Sequence, residues 1–192
     1  MKKLILAFCL LLSLNLWAAQ IIKFHGDVFF DNEKVSDLII LNQGKVLRVS
    51  GKRSFAIVQF DDGSKSILKD GEMIIQESTF KKTKLSLLNG LLSSVINPER
   101  KTSFTVTTKN ATLGVRGTKF MVQDSAQETY LCVCEGEVEA SNRVGRASVK
   151  RGEDIHLNQN TKDFQVTEAS SAMWKMSVEQ FSLMGVKVAP RN

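Results

Sequence analysis

Apolar and polar positions alternate through most of residues 24–166, the period of two that places alternate side chains on opposite faces of a β-strand. A longer pattern is laid over that alternation. Two alternating apolar residues, a gap, a glycine and another apolar residue recur as Ile39, Leu41, Gly44 and Val46, as Leu85, Leu87, Gly90 and Leu92, and as Leu131, Val133, Gly136 and Val138, with a weaker copy in Leu68, Gly71 and Met73. Gln43, Asp70, Asn89 or Glu135 precedes the glycine, which can supply the positive φ of a tight hairpin, so each copy predicts strand, turn, strand. Residues 54–60 and 64–68 flank Asp61-Asp62-Gly63 and predict one more hairpin, on a type I′ Asp-Gly turn. No stretch of residues 24–166 reads as a helix. The tail does, because Trp174, Val178 and Phe181 recur at helical spacing, Ser170 or Ser171 can cap, and Gly185 can stop the turn. The expected fold is all-β, with antiparallel hairpins forming a β-sandwich or β-roll and a short C-terminal helix docked by its apolar stripe.

The first nineteen residues stand apart from this pattern. Lys2 and Lys3 precede an almost wholly apolar run at 4–17, shorter than the roughly 20 residues a membrane-spanning helix prefers, and Ala18 and Ala19 follow it. That is the layout of a secretory signal peptide. Trp17 or Leu16 falls three residues before the cut, depending on the alanine used, so the sequence leaves open cleavage or retention as an anchor. Cys9 follows Phe8 rather than a small residue, which argues against lipid modification. The division expected is 1–19 as signal peptide, 20–166 as the β domain and 167–192 as a tail with the helix. No later window approaches a membrane span, so the remainder is expected to be exported, into the periplasm or beyond.

Charge and composition narrow the chemistry. The chain has 192 residues, 43% hydrophobic and 24% charged, enough to close a core without metal or disulfides. Its net charge is +6, or +4 once Lys2 and Lys3 are removed with the leader. Only His25 and His156 are present, and no nucleophile elbow, phosphate loop, metal-ligand spacing or paired catalytic carboxylates emerge, so no enzyme and no cofactor are expected. Cys132 and Cys134 lie two apart on a strand, facing away from Leu131 and Val133, and read as buried thiols. A disulfide between them would need the strand to kink. Arg143, Arg146, Lys150 and Arg151 form a run without an acid, and Lys81, Lys82 and Lys84 a second. Such faces are solvated, or they attract an acidic partner or an anionic polymer; nucleic acid is not expected of an exported chain without a nucleic-acid module.

Residues 111–122, Ala-Thr-Leu-Gly-Val-Arg-Gly-Thr-Lys-Phe-Met-Val, resemble the signature of the FecR domain family, an Arg-Gly-Thr-x-Phe run after a small-residue turn. In this chain the signature positions are Gly114, Val115, Arg116, Gly117, Thr118 and Phe120. Residues 54–63, ending in Asp-Gly, and 129–138, with Glu-Gly-x-Val, resemble flanking strands of the family, and the likeness extends over about residues 21–157. The type member resembles an iron-dicitrate sensor with a cytoplasmic anti-sigma segment, a membrane span and this domain outside. Here a signal peptide stands in that place, so the resemblance implies the fold rather than transmembrane signalling. Read from the residues alone, Arg116 is expected to pin a tight turn by donating to loop carbonyls; the alternative has Arg116 and Lys119 grip an anion. The expectation is a non-enzymatic interaction or sensing module of the cell envelope, its partner an envelope protein and its surface the run Arg143, Arg146, Lys150 and Arg151. A structural protein holding an anionic cell-wall polymer is the second reading. Asn110-Ala111-Thr112 fits a glycosylation acceptor and is read as incidental.

Overall fold

The central strands are longer than the repeat implies, and each serves two sheets. A computed structural model describes residues 19–99 and 102–190; the leader expected at 1–19 lies outside them, apart from Ala19. The described residues form β1 (Ala19–Phe30), β2 (Glu33–Lys34), β3 (Val46–Phe60), β4 (Lys65–Ser78), β5 (Lys82–Val95), β6 (Ser103–Thr107), β7 (Thr112–Val115), β8 (Lys119–Asp124), β9 (Thr129–Glu135), β10 (Glu137–Ser141), β11 (Arg146–Lys150), β12 (Glu153–Leu157), β13 (Val166–Glu168) and α1 (Ser171–Leu183). The all-β class with one C-terminal helix holds.

In the first sheet the order is β11-β10-β7-β6-β5-β4-β3-β1-β2. It uses residues 82–86 of β5, paired in parallel with β6, and residues 72–78 of β4, 46–49 of β3 and 27–30 of β1. The other halves of the same strands build the second sheet, where residues 90–95 of β5 pair with β8, followed by β9, β12 and β13. The bends fall at Gly26, Gly51, Asp70-Gly71 and Gly90, where the ladder register shifts. Side chains stitch this crease: Ser54 Oγ accepts from Asp27 N at 3.0 Å, and Asp70 Oδ1 accepts from Gly51 N at 3.1 Å. At its centre Gly71 and Gly90 cross with no room for a side chain; a Cβ on Gly71 would stand 2.6 Å from Gly90 Cα.

Several turns therefore differ from the sequence expectation. Gly71 and Gly90 bend continuous strands instead of closing hairpins, and Gly136 joins β9 of the second sheet to β10 of the first. A glycine after alternating apolar residues marks a change of sheet as well as a turn, because both require the chain to deviate without a Cβ in the way. The Asp61-Asp62-Gly63 hairpin is not type I′. Only Gly63 has positive φ, and Gly63 N donates to Phe60 O, the pattern of a type I turn followed by a left-handed glycine. The turn with positive φ at both central residues is Asp31-Asn32, between β1 and β2. The β5–β6 pair is parallel, where only antiparallel hairpins were expected.

Leu47, Val49, Met73, Leu85, Leu87, Phe104 and Val138 of the first sheet meet Val58, Phe60, Leu68, Leu92, Phe120 and Leu131 of the second in one buried cluster. The second sheet is buried on its outer face too. There Phe55, Ile57, Ile67, Met121, Cys132 and Cys134 pack against Trp174, Phe181 and Met184 of the tail. Ser170 caps α1 by accepting from Met173 N at 3.3 Å. Gly185 N donates to Ser182 O and Val186 N to Phe181 O, a Schellman ending at the glycine marked in the sequence.

Candidate interaction surface

Three changes of sheet meet at one end of the molecule. The chain crosses at Gly117 between β7 and β8, at Gly136 between β9 and β10, and at Gly152 between β11 and β12. Gly152 N donates to Val133 O at 2.8 Å and Arg151 N to Gly136 O at 3.1 Å, tying the second and third crossings together. Thr118 ties the first to the second. Its buried hydroxyl lies 3.0 Å from both Arg116 O and Glu137 O, and Thr118 O accepts from Ile96 N at 2.9 Å. Phe120 follows it into the core, edge-on to Phe104, which is edge-on to Phe60.

Arg116 does not pin this corner. It is exposed and its guanidinium makes no hydrogen bond among the described residues, so the buried carbonyls are satisfied by the shorter Thr118 hydroxyl. A planar guanidinium on a long stem is too bulky to sit in a corner where three backbones close on one another. Thr118→Val should therefore cost about 1–3 kcal/mol by leaving those carbonyls short of a donor, while Arg116→Ala should stay within about 0.5 kcal/mol of the parent. Urea denaturation of the two variants checks this, and equal losses would return the pin to Arg116.

The two cations proposed to grip an anion are also apart. Lys119 Nζ is held by Glu135 Oε2 at 2.7 Å and donates to Lys187 O at 2.8 Å, on the side of the tail. Arg116 instead borders an open groove of about 790 Å³ on the outer face of the first sheet, with Ser103, Gly114, Glu137 and Glu139. Gly114 forms the floor. Glu137 and Glu139 were missed by the sequence reading; the period-two pattern through Val138 puts both on that outer face, opposite the core.

The basic run falls at the free edge of the same sheet. Asn142 N donates to Gly145 O at 3.0 Å, and with Arg151 N on Gly136 O this sets which β11 residues bond to β10. Ala147 and Val149 face β10, so the backbone groups of Arg146 and Ser148 point away from the sheet, and no backbone partner meets them among the described residues. Lys150 N is closed off by Glu153 Oε2 at 2.7 Å. Arg143, Arg146 and Lys150 are exposed along this edge. Arg151 is tied down, its Nη2 donating to Pro190 O at 2.7 Å. The run is less purely basic in space than in sequence, since Lys150 stands opposite Glu137 in register and Ser148 Oγ bonds the same carboxylate.

The buried acidic and phenolic groups Asp124, Asp154 and Tyr130 are satisfied within the fold. Asp124 accepts from Thr129 Oγ1, which lies 2.7 Å from Thr108 Oγ1; burial pushes the Asp124 carboxyl up while these hydroxyls draw it down. Asn110, of the glycosylation pattern, is buried in this network. Tyr130 donates to Asp154 at 2.8 Å, and burial raises the phenol far above its usual range. Cys132 and Cys134 are free thiols without exposure. Their mutual hydrogen bond lowers the first and raises the second, with burial adding to the rise. His25 and His156 are exposed, and His156 Nδ1 lies 3.1 Å from Glu128 Oε1.

Comparison with known proteins places this geometry. Residues 45–139 match the family model "FecR protein", which takes in β3 through β10 except the last strand's end, and so includes the crease and the Thr118 corner. No curated protein matches the chain at a significant level. Among solved structures, two crystal structures of a candidate anti-sigma factor from Parabacteroides distasonis ATCC 8503, at 2.50 and 1.65 Å resolution, share its fold with a TM-score of 0.59 at 17% identity. Each alignment covers 68% of this chain and 62% of that one, so this chain spans less than two thirds of the neighbour's length.

Proposed function

Because residues 45–139 of this chain are a FecR domain, we propose that it works by binding a protein partner, as a non-enzymatic interaction and sensing module of the cell envelope. The observation that carries this reading is the β11 edge. Its outward backbone groups at Arg146 and Ser148 offer a ladder to an added strand, and Arg143, Arg146 and Lys150 give that strand an electrostatic preference for acidic side chains. The groove between Arg116 and Glu139 begins on β10, the strand paired with β11, within reach of the same partner. Interspersed carboxylates at Glu137 and Glu139 favour a protein surface of mixed charge over a uniformly anionic wall polymer. The Lys2-Lys3 start and short apolar run support export to the periplasm. No helix among the described residues is long and apolar enough to cross a membrane.

The test is capture from envelope extract at low and high salt, with the parent protein, with Arg143, Arg146 and Lys150 changed to serine, and with Ser148→Pro. Proline at 148 removes an outward N–H while leaving every charge in place. The expected result is a discrete protein partner, weakened by salt and by the triple change, and lost with Ser148→Pro. Retention of the same partner by all three proteins at both salts would remove the β11 edge from the mechanism. Sedimentation with purified wall material instead of a protein partner would favour the structural reading.

A further inference from the structure

Beneath α1 lies a group of sulfur atoms that the docking surface does not use. We propose that Cys132, Cys134 and Met121 form a binding site for a soft univalent metal ion, copper(I). The outer face of the second sheet carries a row set by ladder register: Ser93 of β5 stands opposite Met121 of β8, and Met121 opposite Cys132 of β9. Cys134 follows two residues on, with its side chain on the same face. Met121 and both cysteines are fully buried. From the helix side Ser177 completes the enclosure, its Oγ 3.4 Å from Met121 Sδ.

Three features point to a ligand. Two polar groups in this layer lack partners among the described residues: Ser93 Oγ, fully buried beside Met121, and Gln180 Oε1, on a residue 3% exposed and one turn beyond Ser177. Buried polar atoms are nearly always paired, and the Ser93 hydroxyl stands beside Met121 without a partner. Secondly, Cys132 is laddered on both sides, to Met121 of β8 and Asp154 of β12, and Cys134 falls in the bulge where the β8–β9 register shifts. A disulfide would draw the two sulfurs to about 2 Å, whereas two metal–thiolate bonds of roughly 2.3 Å each leave them about 4 Å apart. Thirdly, the donor set is soft. Thiolate and thioether select copper(I), while zinc asks for four ligands. The adjacent Asp154 is not available as one, since its oxygens accept from Tyr130 and Thr167 at 2.8 and 2.6 Å. Binding exchanges two thiol protons for one copper(I) and oxidises nothing.

The experiment uses the protein as purified from expressing cells, with Cys9→Ser so that only this thiol pair is present, reduced and titrated anaerobically with copper(I) against a chromogenic chelator. The expected result is one copper per chain, a higher Tm, and X-ray absorption showing sulfur ligands alone, three in number. Cys132→Ser and Cys134→Ser should each weaken binding about a hundredfold or more, and Met121→Leu about tenfold with the sulfur count falling to two. Leu183→Ala, at a partly exposed position of α1, keeps all three sulfurs and should bind as the parent does. Absence of binding by the reduced protein, binding undiminished in both cysteine variants while their melting shows them folded, or preferential retention of zinc(II) would overturn the site.

Discussion

Alanine at Gly71 should destabilise the fold by about 3 kcal/mol or more, and alanine at Gly114 should not destabilise it at all. The two glycines occupy strands of the first sheet and look alike in sequence. A Cβ on Gly71 would fall 2.2 Å from Asn89 O and 2.6 Å from Gly90 Cα, and both neighbours are backbone held in the β4–β5 ladder. Nothing there can rotate away. Relief requires the crease to open, which also disturbs the Asp70 bond to Gly51 on the adjoining strand. Gly114 has an ordinary φ, and the nearest atom to its Cβ position is Glu139 O at 3.9 Å. Alanine there removes unfolded-state freedom at no steric cost, a gain of up to about 1 kcal/mol. Urea midpoints of the two variants measure the contrast. A Gly71→Ala protein within 0.5 kcal/mol, roughly the spread of neutral surface changes, would show that the crease adjusts.

Phe181→Ala should cost about 3–5 kcal/mol, the usual range for deleting a fully buried aromatic side chain. Phe181 is 0% exposed and lies among the residues that cover the second sheet. Leu183, 37% exposed two residues later on the same helix, should lose less than about 1 kcal/mol on the same change. A second readout separates loss of the helix from loss of the fold. If α1 detaches while the β-structure persists, Cys132 and Cys134 will react with a thiol reagent under conditions where far-ultraviolet circular dichroism still reports the sheets. If the thiols react only as the whole protein melts, helix and sheets form one cooperative unit. Stability unchanged by Phe181→Ala would contradict the docking of α1.

The helix was legible because its signals are local. Ser170, Trp174, Phe181 and Gly185 occupy cap, buried face and stop at the positions their spacing implies. Cys132 and Cys134 were legible by strand alternation alone, and the structure puts them opposite Leu131 and Val133 as that alternation requires. The glycine repeat was legible as a place where the chain turns, though not as what it turns between. Alternation reads the same in one sheet as in another, so Gly90 inside a continuous strand and Gly44 in a true turn look identical from one dimension. Arg116 misled for a related reason. A long polar side chain between glycines suggests a buried donor, and only the packing of three backbones shows that a threonine hydroxyl fills that space. Glu137 and Glu139 temper the basic run across a pairing that sets them opposite Lys150 and Ser148, well separated from them along the chain.

Strands that bend from one sheet into the other also limit how this molecule can deform. In two separately wound sheets, one layer can slide or rotate over the other by small adjustments of interleaved side chains. Here β1, β3, β4 and β5 run through both layers, so shear between them would have to stretch covalent backbone at the crease. The opposite end is locked by the crossings at Gly117, Gly136 and Gly152. Mechanically the β-structure is a closed frame. An event felt at the β11 edge cannot be relayed by one sheet moving against the other; the freedom that remains belongs to parts attached to the frame through side chains, and α1 with the tail behind it is the largest of these.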